Sequence, residues 1–149
     1  MRLTTIAGLI VAAGALASGF GAQAQEVQEL ANRWTAAYNS HDAAAIGALY
    51  DEDAVLFLHG SPSVSGRPAI EDYWGEDMEL NNPLTVLTVT HSVDGFDMKL
   101  VHGNYQVLNR DTGVPLGHGR FAHIWTRENG EWLLDRDLWN EPFDPYAPE

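Results

Sequence analysis

Cysteine is absent from the 149 residues, which excludes disulfides, thiol catalysis, and lipid attachment at a cleavage-site cysteine. Positive charge is scarce: 8 Lys+Arg stand against 21 Asp+Glu, a formal net charge of −13. That balance excludes nucleic acid as an expected partner and disfavours anionic membrane surfaces, while keeping the chain soluble. The longest apolar stretch, Ile6 to Phe20, is broken by glycines and falls short of the roughly 20 residues a membrane span needs. Internal repeats, low-complexity tracts and linkers are also missing.

The first 24 residues read as a secretory signal peptide. Arg2 supplies the positive start, Ile6 to Phe20 the apolar stretch, and Ala22-Gln23-Ala24 the small-x-small cleavage site. Cleavage near Gln25 predicts a periplasmic or secreted protein with no stable membrane insertion. Losing Arg2 leaves 7 Lys+Arg against 21 Asp+Glu, a net charge of −14 over residues 25–149. Those residues suffice for one domain with one core, expected over 25–140, with a Pro-rich tail over 141–149.

Val27, Leu30, Ala31, Trp34 and Tyr38 recur at the spacing of one helix face, which predicts a helix from Glu26 to Tyr38. Asp42 reads as the N-cap of a second helix running to Tyr50, and Ala54 to Leu58 as a short buried strand. Pro68 suits the first position of a third helix, Ala69 to Leu80, carrying Ile70, Tyr73, Trp74 and Met78 inward. Beyond Pro83 the residues become β-branched and aromatic. Four strands are expected, Leu84 to Val93, Met98 to Leu108, Gly117 to Arg127 and Glu131 to Trp139, with a turn at Asn129-Gly130. Helices followed by an antiparallel meander make an α+β domain.

The segments ANRWTAAYNSHDAAAIGALYDEDAVLF, SGRPAIEDYW and GRFAHIWTRENGEWLLDRDLWN resemble the nuclear transport factor 2-like superfamily, most of all its SnoaL-like and ketosteroid-isomerase groups. The resemblance implies a cone-shaped fold, helices packed on a curved sheet, and a homodimer formed through the sheet. It does not imply one activity, because one fold hosts many functions. Asp137 falls where the limonene epoxide hydrolase branch has its water-activating aspartate. That branch's water-holding tyrosine and asparagine fall at Leu56 and Leu58. For ketosteroid isomerase, the oxyanion-hole tyrosine falls at Trp34, the base at Leu58, and the protonated aspartic acid near Ala122, or at His123 if the hairpin shifts by one.

A two-residue turn at Asn129-Gly130 pairs Glu128 with Glu131, so partners on the last two strands sum to 259. A turn between Thr112 and Gly113 would pair Gly103 with Ala122 and Tyr105 with Arg120, subject to a slip of one residue. One face then carries the rows Tyr105, Arg120, Trp139; Gly103, Ala122, Asp137; and Val101, Ile124, Asp135. In that register Arg120 lies diagonal to Asp137, as an ion-pair partner or as a second ligand anchor, above a space left by Gly103 and Ala122. The opposite face would carry His102, Phe121, His123, Trp125, Trp132, Leu134, Arg136 and Leu138. It is too apolar to stay wet, and so is the expected dimer contact, unless Phe143 and Tyr146 of the tail fold over it. His102 and His123 lie there beside Arg136 without a third ligand, so no metal is expected.

Three functional classes follow. One is a domain that binds a small apolar or aromatic molecule, with Asp137, Arg120, Tyr105, Trp139, Trp34, Tyr38, Leu56, Leu58 and Trp74 as candidate site residues. Another is a cofactor-independent isomerase, dehydratase, cyclase or hydrolase with Asp137 as general acid or base. The third is a non-catalytic interaction module with a filled cone.

Overall fold

Residues 17–142 are described by the computed structural model; residues 1–16, within the expected signal peptide, and residues 143–149 of the expected tail, with Phe143 and Tyr146, lie outside the described residues. Helix α1 (Ala17–Asn39) begins upstream of the expected Glu26. Helix α2 (Ala43–Gly47) starts as expected, with the Asp42 carboxylate accepting from Ala45 N at 3.1 Å. It ends early, and Tyr50 opens strand β1 (Tyr50–Phe57) instead of closing a helix. The two-residue strand β2 (Val64–Ser65) follows. Helix α3 (Arg67–Asn81) has Pro68 in its first turn and stops where Asn82 turns left-handed at φ 45°, its N–H bonded to Met78 O.

The meander is present as β3 (Pro83–Asp94), β4 (Met98–Asn109), β5 (Pro115–Glu128) and β6 (Glu131–Asn140). All six strands form one curved sheet in the order β2-β1-β6-β5-β4-β3, with β1 parallel to β6. The helices cover its inner face. There Ile46, Leu56, Ile70, Trp125 and Leu134 are completely buried, each a side chain whose truncation costs about 2 to 5 kcal/mol. Asn39 fixes α1 to the sheet by a pair of hydrogen bonds to the Thr85 backbone: its side chain donates to Thr85 O and accepts from Thr85 N, both at 2.8 Å.

Register decides what reaches the inner face. Asn129 and Gly130 both have positive φ, 47° and 87°, and the two-residue turn pairs Glu128 with Glu131 through to Trp125 with Leu134 as the sequence predicts. Between Leu134 and Arg136 a bulge at Asp135 adds one residue, after which Ile124 faces Arg136 and His123 faces Asp137. The β4–β5 hairpin also shifts, pairing Gly103 with Phe121 and Tyr105 with Gly119. Its turn is organised by Asn109, whose Oδ1 accepts from Asp111 N, Thr112 N and Thr112 Oγ1, and it closes with Leu108 opposite Pro115; a bulge at Leu116 then puts Val107 opposite Gly117, which sets the one-residue shift.

The two shifts leave Val101, Gly103, Tyr105, Asp137 and Trp139 on their expected face and invert β5 together with the turn-proximal part of β6, where Trp132 and Leu134 point inward. Phe121, His123 and Trp125 point inward and are buried; Arg120, Ala122 and Ile124 point outward. The apolar patch expected from Phe121, Trp125, Trp132 and Leu134 is therefore core beneath the helices. Gly103 also has a different role from the one its size suggested. A Cβ there would sit 1.9 Å from Thr88 O, so the glycine admits the β3 backbone and leaves no space for a ligand.

Candidate functional site

Between α1, α3 and the inner sheet lies a cavity of about 260 Å³. Its floor holds the charged group that the sequence leaves unexplained. Asp137 and His123 are each 2% exposed and both line the cavity. Burying a carboxylate is costly without partners, and Asp137 has two. Tyr50 Oη donates to Asp137 Oδ2 at 2.6 Å, and His123 Nε2 lies 3.3 Å from Oδ1.

Donor directions in this group are fixed. Trp34 Nε1 and Trp74 Nε1 both donate to Tyr50 Oη, at 2.8 and 3.0 Å, so the only proton of the phenol goes to Asp137. Burial first, then the Asp137 charge, holds the Tyr50 pKa well above the usual tyrosine value, which keeps that proton in place. Asp137 is an acceptor on both oxygens, and the carboxylate beside Nε2 favours a proton on that nitrogen. In the neutral ring His123 Nδ1 is then a lone pair; the atom is buried and has no hydrogen-bond partner. A histidine oriented by a carboxylate through one nitrogen, with the other free, can accept a hydrogen bond or take a proton from a bound molecule.

Further out, Asp77 on α3 accepts from Tyr38 Oη and, at 2.7 Å, from Asn81 Nδ2. Burial and then the Asp77 charge raise the pKa values of Tyr38 and Tyr73, and burial with Glu141 raises that of Tyr105. All three remain neutral phenols. Trp34 stacks on Tyr38 at 4.9 Å between centroids, and Trp74 meets both edge-on.

The SnoaL-like domain model matches residues 31–134, well over half of the sequence. The chain belongs to the SnoaL-like domain family. The matched segment contains Trp34, Tyr50, Trp74 and His123 and ends before Asp137. No curated protein sequence matches. Among solved structures, this SnoaL-like chain is similar to a nuclear transport factor 2-like protein of unknown function from Pseudomonas putida (24% identity, 85% of this chain, 91% of that one, TM-score 0.68). It is also similar to a nuclear transport factor 2-like protein with a cystatin-like fold from Novosphingobium aromaticivorans (18%, 94% and 95%, TM-score 0.71). A third is a calcium/calmodulin-dependent protein kinase II association domain, so described, from Xanthomonas campestris (22%, 99% and 99%, TM-score 0.64). At these identities the likeness shows the fold, which is the expected α+β arrangement of helices on a curved sheet.

Of the residues singled out from the sequence, the SnoaL-like domain brings Asp137, Tyr105, Trp139, Trp34, Tyr38 and Trp74 to the cavity wall. Three others stand elsewhere. Arg120 is exposed on the outer face, in a groove with Asn104, His118 and Asn140, because the β5 register places it there. It makes no pair with Asp137. Leu56 is fully buried core that does not line the cavity, and Leu58 is half-buried beyond the end of β1.

Tyr50 and Asp77 are not among the site residues the sequence suggests, and His123 enters there only as the position that a one-residue hairpin shift would bring to the place of the ketosteroid-isomerase acid. Tyr50 shares the inner face of β1 with Ala54 and Leu56, but the strand is irregular between Tyr50 and Val55 and Glu52 is exposed, so alternation along the sequence gives no signal for it. Asp77 follows Tyr73 by four residues on one side of α3, a spacing that signals a shared face. For His123 the signal is the one-residue slip itself. Among the described residues no group of three or more His, Asp or Glu is arranged to hold a metal ion.

Proposed function

We propose that this SnoaL-like domain binds a small, largely apolar molecule in the inner cavity, with His123 Nδ1 accepting a hydrogen bond from it. The observation that carries this reading is the unpartnered, buried Nδ1 of a histidine whose other nitrogen is turned to Asp137. A cavity of about 260 Å³ lies near the lower end of ligand sites, about 300 Å³, which suits a compound of one or two rings. An interaction module with a filled cone would have no such space.

The same nitrogen favours a second reading, a cofactor-independent isomerase, dehydratase, cyclase or hydrolase. In it His123 takes the proton and Asp137 orients the ring and stabilises the imidazolium. Asp137 itself, already accepting from Tyr50, is the positioning group in place of the base.

Export and dimerisation belong to the same proposal. The leader sequence supports secretion with cleavage near Gln25. The outer face of the sheet supports a homodimer: Val55, Leu138, Ala122, Ile124 and Leu100 are half-buried there, flanked by exposed Phe57 and Val93. The association domain similar to this chain is consistent with assembly through such a surface.

Native mass spectrometry of the protein from its own source tests the reading. The expected result is a dimer of chains beginning near Gln25 that carries a small non-covalent adduct, lost in His123→Leu. A protein without adduct that also gains neither mass nor thermal stability from a lipophilic extract overturns ligand binding.

A further inference from the structure

The wall of the cavity is aromatic, contributed by Trp34, Tyr38, Tyr73, Trp74, Tyr105 and Trp139, and its charged lining groups are Asp77, Asp137 and Glu141. Among the described residues no lysine or arginine lines it. Asp77 is half-buried and Glu141 exposed, so the carboxylates extend from the floor to the opening. His123 Nδ1 adds an unpartnered acceptor at the buried end. Among the described residues every fixed charge that lines the cavity is negative.

We infer that the occupant of this cavity is a small organic cation, an ammonium-type head held against the aromatic rings with Asp77 and Glu141 as counter-charges. The inference rests on the small-molecule reading above and specifies the charge of the ligand. A cation is attracted to the faces of tryptophan and tyrosine rings, and the attraction grows when the site is desolvated. An anion would have to lose its water beside three carboxylates with no cation to replace it. The upward pKa shifts of Tyr38, Tyr73 and Tyr105 have burial as their largest cause and the neighbouring carboxylates next, consistent with a negative potential throughout the space.

Three probes of similar size separate charge from shape. Phenyltrimethylammonium and tert-butylbenzene share one outline and differ in charge, and benzoate carries the opposite sign. With the full chain, binding followed by tryptophan fluorescence should favour the cation over tert-butylbenzene by about tenfold or more, with benzoate weakest. The cation-to-neutral ratio should fall several-fold in Asp77→Asn and in Glu141→Gln. Equal or tighter binding of tert-butylbenzene or benzoate overturns the cation assignment and leaves the small-molecule reading standing. An unchanged ratio in both variants overturns it as well. Failure of all three probes to bind also overturns the cation assignment and leaves the small-molecule reading standing.

Discussion

His123 Nε2 and Asp137 Oδ1 lie 3.3 Å apart on neighbouring strands, and they meet because β6 carries one extra residue at Asp135. Without that bulge Asp137 would face Ala122. The bulge thus places a carboxylate and an imidazole on the same cavity floor.

Tyr50 is the hinge of the buried network. Tyr50→Phe removes one hydroxyl and strands three partners: the Asp137 carboxylate and the indole N–H groups of Trp34 and Trp74. Unsatisfied buried groups cost about 1 to 3 kcal/mol each, so a loss of about 3 kcal/mol or more is expected in urea unfolding. A change below about 1 kcal/mol would mean that the network contributes little.

Gly103→Ala tests the register directly. The added methyl would meet the Thr88 carbonyl, a backbone atom that cannot swing aside. Overpacking of this kind costs about 1 to 3 kcal/mol, and the variant should melt lower without losing its secondary structure. A neutral outcome would mean that β3 does not approach β4 this closely.

The buried phenols set an alkaline limit. Tyr38 and Tyr50 have pKa values raised by burial first and by Asp77 and Asp137 next. A raised folded-state pKa contributes stability that is complete below the unfolded value, about 10, and is lost as pH climbs, because the unfolded phenols ionise first. Each tyrosine should contribute a decline of about 1.4 kcal/mol per pH unit above that point. Urea titrations at rising pH should show a shallower decline in Tyr50→Phe than in the native chain; equal slopes would contradict the assignment.

The outer sheet face should govern assembly. Ile124→Asp and Leu138→Asp place charges at its centre without entering the core, and sedimentation should then report monomers. Dimers persisting in both variants would show that the chain associates elsewhere.

Much of this was legible in the sequence. The helical spacing of Leu30, Trp34 and Tyr38, the Asp42 cap, the Pro68 start and the Asn129-Gly130 turn give the element order and fold, because each is a local chemical signal. The face of Asp137 and Trp139 was also legible from alternation. What escaped was register over distance. The bulge at Asp135 has no glycine or proline to mark it, and the second bulge, at Leu116, follows a turn that the Asn109 side chain sets. Each moves partners by one residue, and in a strand one residue exchanges inside for outside. His123 and Arg120 traded places for that reason. Tyr50 was missed because an alanine-rich stretch continues into it with helical composition, and only its packing against Trp34 and Trp74 shows that the strand has begun.

The central claim is that His123, on the cavity floor, carries an unpartnered lone pair on Nδ1, with Asp137 holding the proton on Nε2. Nitrogen NMR of isotopically labelled histidine, at about pH 8 where a free imidazole is neutral, reads the tautomer directly. The account predicts a proton on Nε2 and none on Nδ1 in the native chain, with that preference weakened in Asp137→Asn. A proton on Nδ1 in the native chain would contradict it, because the site would then offer a donor where a ligand is proposed to find an acceptor.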